Sequence, residues 1–498
     1  MTDMLAQRIP WGAGRFCRAF IAAVCVMAGH AATAAVYELV IQGGRVIDPE
    51  TGLDAVMNVG INGSSIQAVS AEHLDGQSVI DADGLVIAPG FIDLHVHSQT
   101  EEGYRLMVQD GVTSAFEIEV GTADVDEWYA QRSGGQYLNH GVGAGHIKAR
   151  MIVMDDPAES LPTGPGAWEA ATQAEIDEMI SLLSEALERG AVAVGMGLEY
   201  TPAASDREVL QVMELAALHN ASVHVHLDAG LEGLDRAIAL AARAGASLHV
   251  VHVTSAAKSL INQYLARIES ARDAGLDVTT ETYPYGAGMT RIESAKFSNW
   301  ESWPDEEFGK FQWAETGEWL TRESFGARRS EGGIIIHHAR TESMTRTAVT
   351  HPLTMIASDG FIESGTGHPR VSGSFSRVLG RYVREEGRLT LPAALAKMTI
   401  EPARRLEARV PAMRMKGRVQ VGADADLTIF DPQAVIDRST YDEPARTSAG
   451  IEYVIVGGRP VIRKGKLIED ARFGKGIRAP APDATVGSPT PLELTQRN

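Results

Sequence analysis

The sequence has almost no cysteine. Cys17 and Cys25 are its only two, and both lie within the first 35 residues of a 498-residue chain. Those 35 residues have the pattern of a secretory signal peptide, with arginines, a short apolar stretch and then small residues, so we expect cleavage near Ala34 or Ala35. The mature protein would then be periplasmic or secreted. It could form no disulfide bond, and a metal site in it would have to use His, Asp, Glu or a modified Lys.

The chain is also poor in positive charge and in long apolar runs. It has 45 Lys and Arg against 65 Asp and Glu, a formal net charge of −20. Such an acidic protein is a poor partner for nucleic acid or an anionic membrane surface. The apolar stretch near the N-terminus is too short to span a bilayer, and no later apolar segment reaches the length that a bilayer-spanning helix needs. We therefore expect no nucleic-acid partner, and no membrane partner for the mature form.

The two ends of the remaining chain have the pattern of β-strands and turns. Alternating apolar runs separated by Gly43-Gly44 and Asn62-Gly63 indicate hairpins near the N-terminus. A similar pattern returns near the C-terminus. We predict that residues 36–87 and 406–478 together form one small β-sandwich domain. Residues 479–498, rich in Pro, Ala, Thr and Ser, are expected to be a flexible tail.

Between these ends, residues 88–405 alternate short apolar strands with helical patterns. This order predicts an α/β fold with a parallel sheet, closed into a (β/α)8 TIM-like barrel. Residues 292–331 interrupt the alternation and hold four of the seven tryptophans. This Trp-rich insertion is either a subdomain on the barrel flank or a lid over the active site.

Polar side chains lie where seven of the predicted strands end, at the face where such barrels carry their active sites. His95 and His97 are two residues apart on the first strand, so their imidazoles point to the same side. A single such pair is more often a solvent-facing strand, but here it is one of several. The strand-end residues are His95 and His97, Glu117 and Glu119, His146, His224 and His226, His252, His337 and His338, and Asp359.

With these residues in view, the chain resembles the amidohydrolase superfamily, in the strings APGFIDLHVH, IASDG and KGRVQVGADADLTIFDP. Within it, GMGLEYTP, TETYPYGAG and HPRVSGSFSRVLGRYVRE resemble N-acyl-D-amino-acid deacylases, which include D-aminoacylases and D-glutamate deacylases. The resemblance implies a metal-dependent hydrolase that uses a metal-activated hydroxide. Its substrate would be the amide bond of N-acyl-D-amino acids, with N-acyl-D-glutamate among them.

The resemblance also implies roles for individual residues. His95 and His97 would be metal ligands from the first strand, His226 and His252 would bind a second metal, and Asp359 would be the catalytic base. The ligand types suit one or two Zn²⁺ ions, and Mn²⁺, Co²⁺ or Fe²⁺ would fit as well.

The sequence departs from the family at the ligand that bridges two metals. Family members commonly use a cysteine or a carboxylated lysine there. The mature chain has no cysteine, and no lysine lies between Lys148 and Lys258. We predict Glu119 as the bridge, because it shares the inward face with Glu117 and lies nearer the rim. Glu117 and Lys148 are the alternatives.

Substrate recognition departs from the family too, because Thr254 stands where a lysine often holds the substrate carboxylate. Tyr283, Arg370 and Arg377 remain as candidate substrate-binding residues, since Arg can bind a carboxylate through two hydrogen bonds. Tyr283 or His146 could meet the oxyanion. Tryptophans of the insertion could shape an acyl pocket.

Three other interpretations stay open from sequence alone. One is a cyclic amidase of the dihydropyrimidinase or dihydroorotase kind, and another is a dipeptidase. The third is a barrel that has lost its metals and serves as a scaffold. The oligomeric state is open between a monomer and a homo-oligomer.

Overall fold

The computed structural model describes residues 36–481. The predicted signal peptide, both cysteines and residues 482–498 of the predicted tail lie outside the described residues. Within this range, no helix has both the length and the hydropathy to cross a membrane.

The described chain begins with strands that follow the alternating apolar pattern. Asn62-Gly63 forms the turn between the second and third of them, and Gly63 has a φ of 56°, a region that glycine occupies at little cost. The strands are β1 (Val36–Asp48), β2 (Leu53–Asn62), β3 (Ser65–Ser70), β4 (Asp75–Asp81) and β5 (Val86–Pro89).

Seven parallel barrel strands follow, each leading to a helix or loop. They are β6 (Phe91–Asp93), β7 (Val112–Thr122), β8 (Asn139–Gly145), β9 (Val194–Gly197), β10 (Ser222–His226), β11 (Ser247–Val250) and β12 (Val278–Thr282). The helices among them are α1 (Glu101–Gln109), α2 (Val125–Ala130), α3 (His146–Val153), α4 (Pro165–Trp168), α5 (Gln173–Glu188), α6 (Asp206–Leu218), α7 (Gly230–Ala244), α8 (Val253–Ala257) and α9 (Ile261–Asp273). Thr100, Asp124, Thr172 and Ser205 cap four of these helices with their side-chain oxygens.

The insertion between the seventh and eighth barrel strands is longer than predicted. It contains β13 (Gly288–Arg291), β14 (Phe311–Trp313) and β15 (Ile334–His337), which form a separate antiparallel sheet. Two helices complete it, α10 (Asp305–Phe308) and α11 (Arg322–Glu331). The prediction that His337 ends a barrel strand is therefore wrong, because β15 pairs with β13 and β14, and β12 is the seventh barrel strand.

The eighth barrel strand is β16 (Thr354–Ile356), preceded by α12 (Glu342–Thr350). It pairs in parallel with β12, and a parallel bridge between Val96 and Gly360 joins it to the end of β6. The strand order β6-β7-β8-β9-β10-β11-β12-β16 thus gives a nearly closed barrel, which confirms the predicted fold class. Beyond it lie a small hairpin, β17 (Ile362–Glu363) and β18 (Thr366–Gly367), and the helices α13 (Arg370–Arg377), α14 (Leu391–Met398) and α15 (Ile400–Leu406).

The chain ends in four strands that complete the first sheet, β19 (Leu427–Phe430), β20 (Ile451–Val456), β21 (Arg459–Arg463) and β22 (Lys466–Leu467). β19 pairs with β5, so both chain ends share one nine-stranded sheet around a common apolar core. This agrees with the predicted β-domain. The last described segment was predicted as the end of the β-domain and the start of the tail, but it packs on the barrel region. Its main-chain N–H groups donate hydrogen bonds to the barrel region, from Gly474 to Gln136, from Ile477 to His140 and from Ala479 to Gly190.

Candidate metal centre and its cavity

Four potential metal ligands meet at the carboxyl end of the barrel. His95 and His97 follow β6, Glu119 lies in β7, and Asp359 follows β16. Their Nε2, Nε2, Oε2 and Oδ1 atoms are close together. His95 Nε2 lies 3.2 Å from His97 Nε2 and 2.6 Å from Glu119 Oε2. Asp359 Oδ1 lies 3.5 Å and 3.3 Å from the two imidazole nitrogens.

A second group of ligands shares one residue with the first. Glu119 Oε1 lies 2.8 Å from His226 Nδ1, and His252 Nε2 lies 3.0 Å from the same nitrogen. His226 ends β10, and His252 follows β11. Glu119 belongs to both groups, which is the position that a bridging ligand would occupy.

The spacing and chemistry of these atoms fit divalent metal ions. Tetrahedral Zn²⁺ with bonds of about 2.0–2.1 Å holds its ligand atoms roughly 3.4 Å apart. The nitrogen–nitrogen and nitrogen–oxygen separations across the first group mostly fall near that value. The centre is also almost closed to solvent, since the side chains of Glu119 and His252 are each 3% exposed. Buried carboxylates and imidazoles are both metal-donor groups, and a cation bound between them would neutralise the negative charge of the carboxylates.

Two of the ligand residues occupy an unusual backbone conformation. His252 has a φ of 32° and Asp359 has a φ of 50°, both in the left-handed region that costs energy for residues other than glycine. Main-chain hydrogen bonds hold the second of these in place, because Asp359 N donates to His95 O at 2.7 Å and His97 N donates to Gly360 O at 2.8 Å. These hydrogen bonds therefore fix Asp359 and the His95–His97 pair relative to each other.

Three carboxylates outside the ligand groups orient the ligand imidazoles. Glu281 Oε1 lies 2.6 Å from His95 Nδ1. Glu117 Oε2 lies 2.9 Å from His97 Nδ1, and Glu199 Oε2 lies 2.8 Å from His226 Nε2. Each leaves the other ring nitrogen free to face the centre, which is the usual arrangement around metal-binding histidines.

The charges of the centre are strongly coupled. Burial alone opposes ionisation of Glu119, but His226 and His95 outweigh it and hold the pKa of its carboxyl well below the usual value. For Asp359, burial again opposes ionisation, and Arg370 and then His95 lower the pKa below the usual range. Both carboxylates are therefore anionic at neutral pH, the state that a metal ligand or a general base requires.

A cavity of about 370 Å³ opens above the centre. Four of the predicted metal ligands and the predicted base line it, and so do Tyr283, Arg370, Glu117 and Lys148. Arg370 Nη1 lies 2.7 Å from Asp359 Oδ2, and its guanidinium lies over the Tyr283 ring. The structure thus brings two predicted substrate-binding residues, Tyr283 and Arg370, to the cavity beside the predicted base.

Sequence reasoning missed Arg340 as a member of this wall. Its Nη2 donates to the Tyr283 hydroxyl at 2.6 Å, and its Nη1 donates to Ser255 Oγ at 3.1 Å. Ser255 follows Thr254 directly, so Arg340 brings a cation to the region where the family lysine is missing. Arg340 and Tyr283 are 57 residues apart in the sequence, so no local sequence pattern indicates that they are in contact.

The structure does not bring Arg377 to the cavity, contrary to expectation. Its Nη1 lies 2.9 Å from Asp437 Oδ2, and its Nε donates to Pro284 O. It also lies over the Tyr285 ring. Arg377 therefore joins the C-terminal part of the chain to the barrel, and its charge is already neutralised there.

His146 is also away from the cavity, because it is the first residue of α3 and points into the protein. Its Nε2 lies 2.8 Å from Glu208 Oε1, and Arg150 Nη1 lies 2.6 Å from the same oxygen. All three side chains are fully buried. The position of His146 does not support a role as oxyanion donor, and the triad has a structural role instead.

We expect Glu208→Gln to destabilise the fold by about 3 kcal/mol, because it leaves the buried Arg150 without its counterion. Chemical denaturation of the purified protein measures this free energy of unfolding. Glu185→Gln is the control, since the Glu185–Arg189 pair is exposed and should contribute about 0.5 kcal/mol or less. Equal effects of the two substitutions would contradict the prediction.

The Trp-rich insertion packs around an aromatic core of its own. Trp300, Trp303 and Trp313 belong to this core, and none of the insertion's tryptophans lines the cavity. The idea that they form an acyl pocket is therefore wrong. The insertion reaches the centre differently: Lys296 forms an ion pair with Glu199, the residue that contacts His226.

The remaining strand-end histidines lie outside the ligand groups. His224 is buried one step below His226 and packs 4.5 Å from the His249 ring. His337 stacks on Phe311 at 4.1 Å, while His338 Nε2 lies 3.1 Å from Gln312 Oε1. His224 and His338 thus serve packing and hydrogen bonding, while His337 also lines the cavity.

Comparison with known proteins identifies relatives over most of the chain. A model described as "Amidohydrolase family" matches residues 168–462. An N-acyl-D-glutamate deacylase from Alcaligenes xylosoxydans xylosoxydans is 34% identical over 474 residues, covering 84% of this chain and 93% of the relative. A D-aminoacylase from the same organism is 28% identical over 476 residues, covering 85% and 94%.

A solved structure has the same fold. It is an N-acyl-D-glutamate deacylase from Bordetella bronchiseptica, complexed with zinc and a phosphonate inhibitor that mimics the tetrahedral intermediate of the reaction. The TM-score is 0.77 at 27% sequence identity, over 89% of this chain and 100% of the other.

Proposed function

The chain belongs to the amidohydrolase family and is a hydrolase of amide bonds, and from this premise we propose that it is a metal-dependent N-acyl-D-amino-acid deacylase. The observation that carries the proposal is the position of Glu119, shared by two ligand groups at the floor of a cavity with cationic walls. The relatives named as deacylases of N-acyl-D-amino acids support the substrate class.

The ligand groups would hold one or two divalent ions, of which Zn²⁺ is the first choice and Mn²⁺, Co²⁺ or Fe²⁺ fit the same donors. A bound ion supplies Lewis-acid activation of water and of the amide carbonyl. Asp359 accepts the proton of the attacking water through Oδ1 and passes it to the leaving nitrogen. A carbon–oxygen bond forms, the carbon–nitrogen bond breaks, and the products are a carboxylate and a free amino acid.

Arg370, Tyr283 and Arg340 orient the substrate in this proposal. They form one contiguous patch beside Asp359, through the contacts of both guanidinium groups with the Tyr283 ring. A substrate α-carboxylate on this patch places the scissile amide over the ligand groups. In this arrangement a guanidinium group takes the role of the family lysine, which is replaced by Thr254 in this chain. A guanidinium offers two parallel hydrogen-bond donors to a carboxylate.

An acidic side chain on the substrate is the finer part of the proposal. The cavity is also lined by Lys258, Arg291 and Lys296, although the protein as a whole is strongly acidic. Lys258 has no ion pair among residues 36–481. Arg291 and Lys296 are paired with Glu293 and Glu199, so the unpaired charge of Lys258 is the one that favours N-acyl-D-glutamate over substrates with neutral side chains.

A panel of substrates tests the proposal. After loading with each of the four metals, we expect hydrolysis of N-acetyl-D-glutamate, slower hydrolysis of N-acetyl-D-leucine, and little hydrolysis of N-acetyl-L-glutamate. Release of the free amino acid measures the rate. Activity confined to hydantoins, dihydroorotate or dipeptides would overturn the proposal in favour of a cyclic amidase or dipeptidase.

Export to the periplasm or medium, and the cleavage expected near residue 35, stay predictions because they concern residues outside the described range. Mass spectrometry of the mature N-terminus would test them. The expected lack of nucleic-acid and membrane partners likewise stays a prediction.

A further inference from the structure

The order of the barrel strands divides the mouth of the cavity into two opposite sides. The loops after β11, β12 and β16 carry the patch of Arg370, Tyr283 and Arg340. In the closed barrel β7 lies opposite β11 and β8 lies opposite β12, so the loops after β7 and β8 lie across the barrel from this patch. Since the ligand groups lie between the two sides, a substrate whose α-carboxylate meets the first side directs its acyl group toward the second.

The second side is not purely apolar. Val120, Leu161 and Trp128 line it, but so do two half-buried cations, Arg132 and Lys148. Arg132 lies in the loop after α2, with its guanidinium 3.8 Å from the centre of the Trp128 ring. Lys148 lies on α3, directly after β8. An acyl group that is only a hydrocarbon would use the apolar members and leave the cations without a role.

Neither cation is neutralised by the part of the chain that the structure describes. Arg132 donates to Tyr104 Oη at 3.1 Å, to Gln99 O at 2.9 Å and to Trp128 O at 2.6 Å. All three acceptors are uncharged.

Lys148 has a similar environment. Its Nζ donates at 2.8 Å each to the carbonyl oxygens of Glu159 and Ser160. Within residues 36–481, no carboxylate oxygen lies within 4 Å of its Nζ or of the Arg132 guanidinium. Burial lowers the pKa of Lys148, and the more distant Glu117 only partly offsets this. A positive charge in a partly desolvated cavity wall has an unfavourable free energy when it has no counterion. A bound anion would offset that free energy.

We propose that the acyl group of the substrate ends in a second carboxylate, so that the enzyme takes N-(carboxyacyl)-D-amino acids such as N-succinyl-D-amino acids. This rests on the proposed function. The distal carboxylate meets Lys148 and Arg132, while the α-carboxylate meets Arg370, Tyr283 and Arg340. Water adds to the amide carbon, the carbon–nitrogen bond breaks and the amine takes up the proton, releasing a dicarboxylate and a D-amino acid.

The wild-type enzyme alone gives the first test. We compare kcat/KM for N-succinyl-D-glutamate, N-butyryl-D-glutamate and N-acetyl-D-glutamate, where butyryl has the same chain length as succinyl without the charge. We expect about a 10- to 100-fold preference for succinyl over butyryl, carried mainly by KM. Hydrolysis of the acetyl and butyryl compounds without that preference would overturn the inference and leave the proposed function standing. No hydrolysis of any N-acyl-D-amino acid would overturn both.

Variants then show whether the preference comes from the charge. Lys148→Met should abolish most of the succinyl preference, and Lys148→Arg should keep it. Lys397→Met is the matched control, because Lys397 also donates to two carbonyl oxygens, of His351 and Thr354, but lies on α14 away from the cavity. We expect this control to keep the wild-type ratio of succinyl to butyryl turnover. If Lys148→Met keeps the full preference, Lys148 has only a structural role and the inference is wrong.

Discussion

Glu119→Gln is expected to disrupt both candidate metal sites at once. Because Glu119 belongs to both ligand groups, the expectation holds whether one or two ions are needed for turnover. Loss of metal activation of water and carbonyl amounts to about 4 kcal/mol, or roughly a 10³-fold fall in kcat/KM. Elemental analysis after dialysis against dilute Zn²⁺ should show the loss of metal directly, independent of any activity.

The neighbouring carboxylate provides the matched control for this substitution. Glu117→Gln removes the partner of His97 Nδ1 but no predicted ligand atom. Changes of this kind usually weaken metal affinity or activity by about 10- to 100-fold. If Glu117→Gln or Lys148→Met removes metal as completely as Glu119→Gln does, the bridge has been assigned to the wrong residue.

The local spacing of residues explains why the convergence of His95 and His97 on one point could be predicted. Residues two apart on a strand face the same way, so His95 and His97 needed only one correctly placed strand. The same rule placed Glu117 and Glu119 on one inward face, with Glu119 nearer the rim. The barrel itself followed from the alternation of strands and helices, which is a local property of the chain.

What could not be predicted depends on contacts between distant segments. Glu281 meets His95 across 186 residues, and only closure of the barrel shows this contact. Arg377 failed as a substrate residue because the position of its partner, Asp437, cannot be deduced from the sequence around it. The run Ile334–His337 has the hydrophobicity of a barrel strand, yet it pairs with β13 and β14. A buried strand has the same local pattern in either sheet.

Asp359→Asn is expected to lower kcat by about 10²- to 10⁴-fold, the range usual for loss of a general base. The amide has nearly the same shape as the carboxylate, and the hydrogen bond to His95 O comes from the main chain, so the variant can keep it. The amide cannot accept a proton from water at neutral pH. The second ligand group does not contain Asp359, so metal bound by that group should remain. This separates loss of the base from loss of metal.

The control for this experiment is Asp437→Asn, a second buried aspartate that pairs with an arginine. Asp437 Oδ2 contacts Arg377 and the Tyr285 hydroxyl rather than cavity residues. We expect this variant to lose stability, because Arg377 is left unpaired, but to keep kcat within a few-fold of wild type. Single-turnover rates, metal content and melting temperature should be measured on both variants. If Asp359→Asn retains its metal and turns over normally, Asp359 does not move the proton, and the base must be sought among the other carboxylates of the cavity.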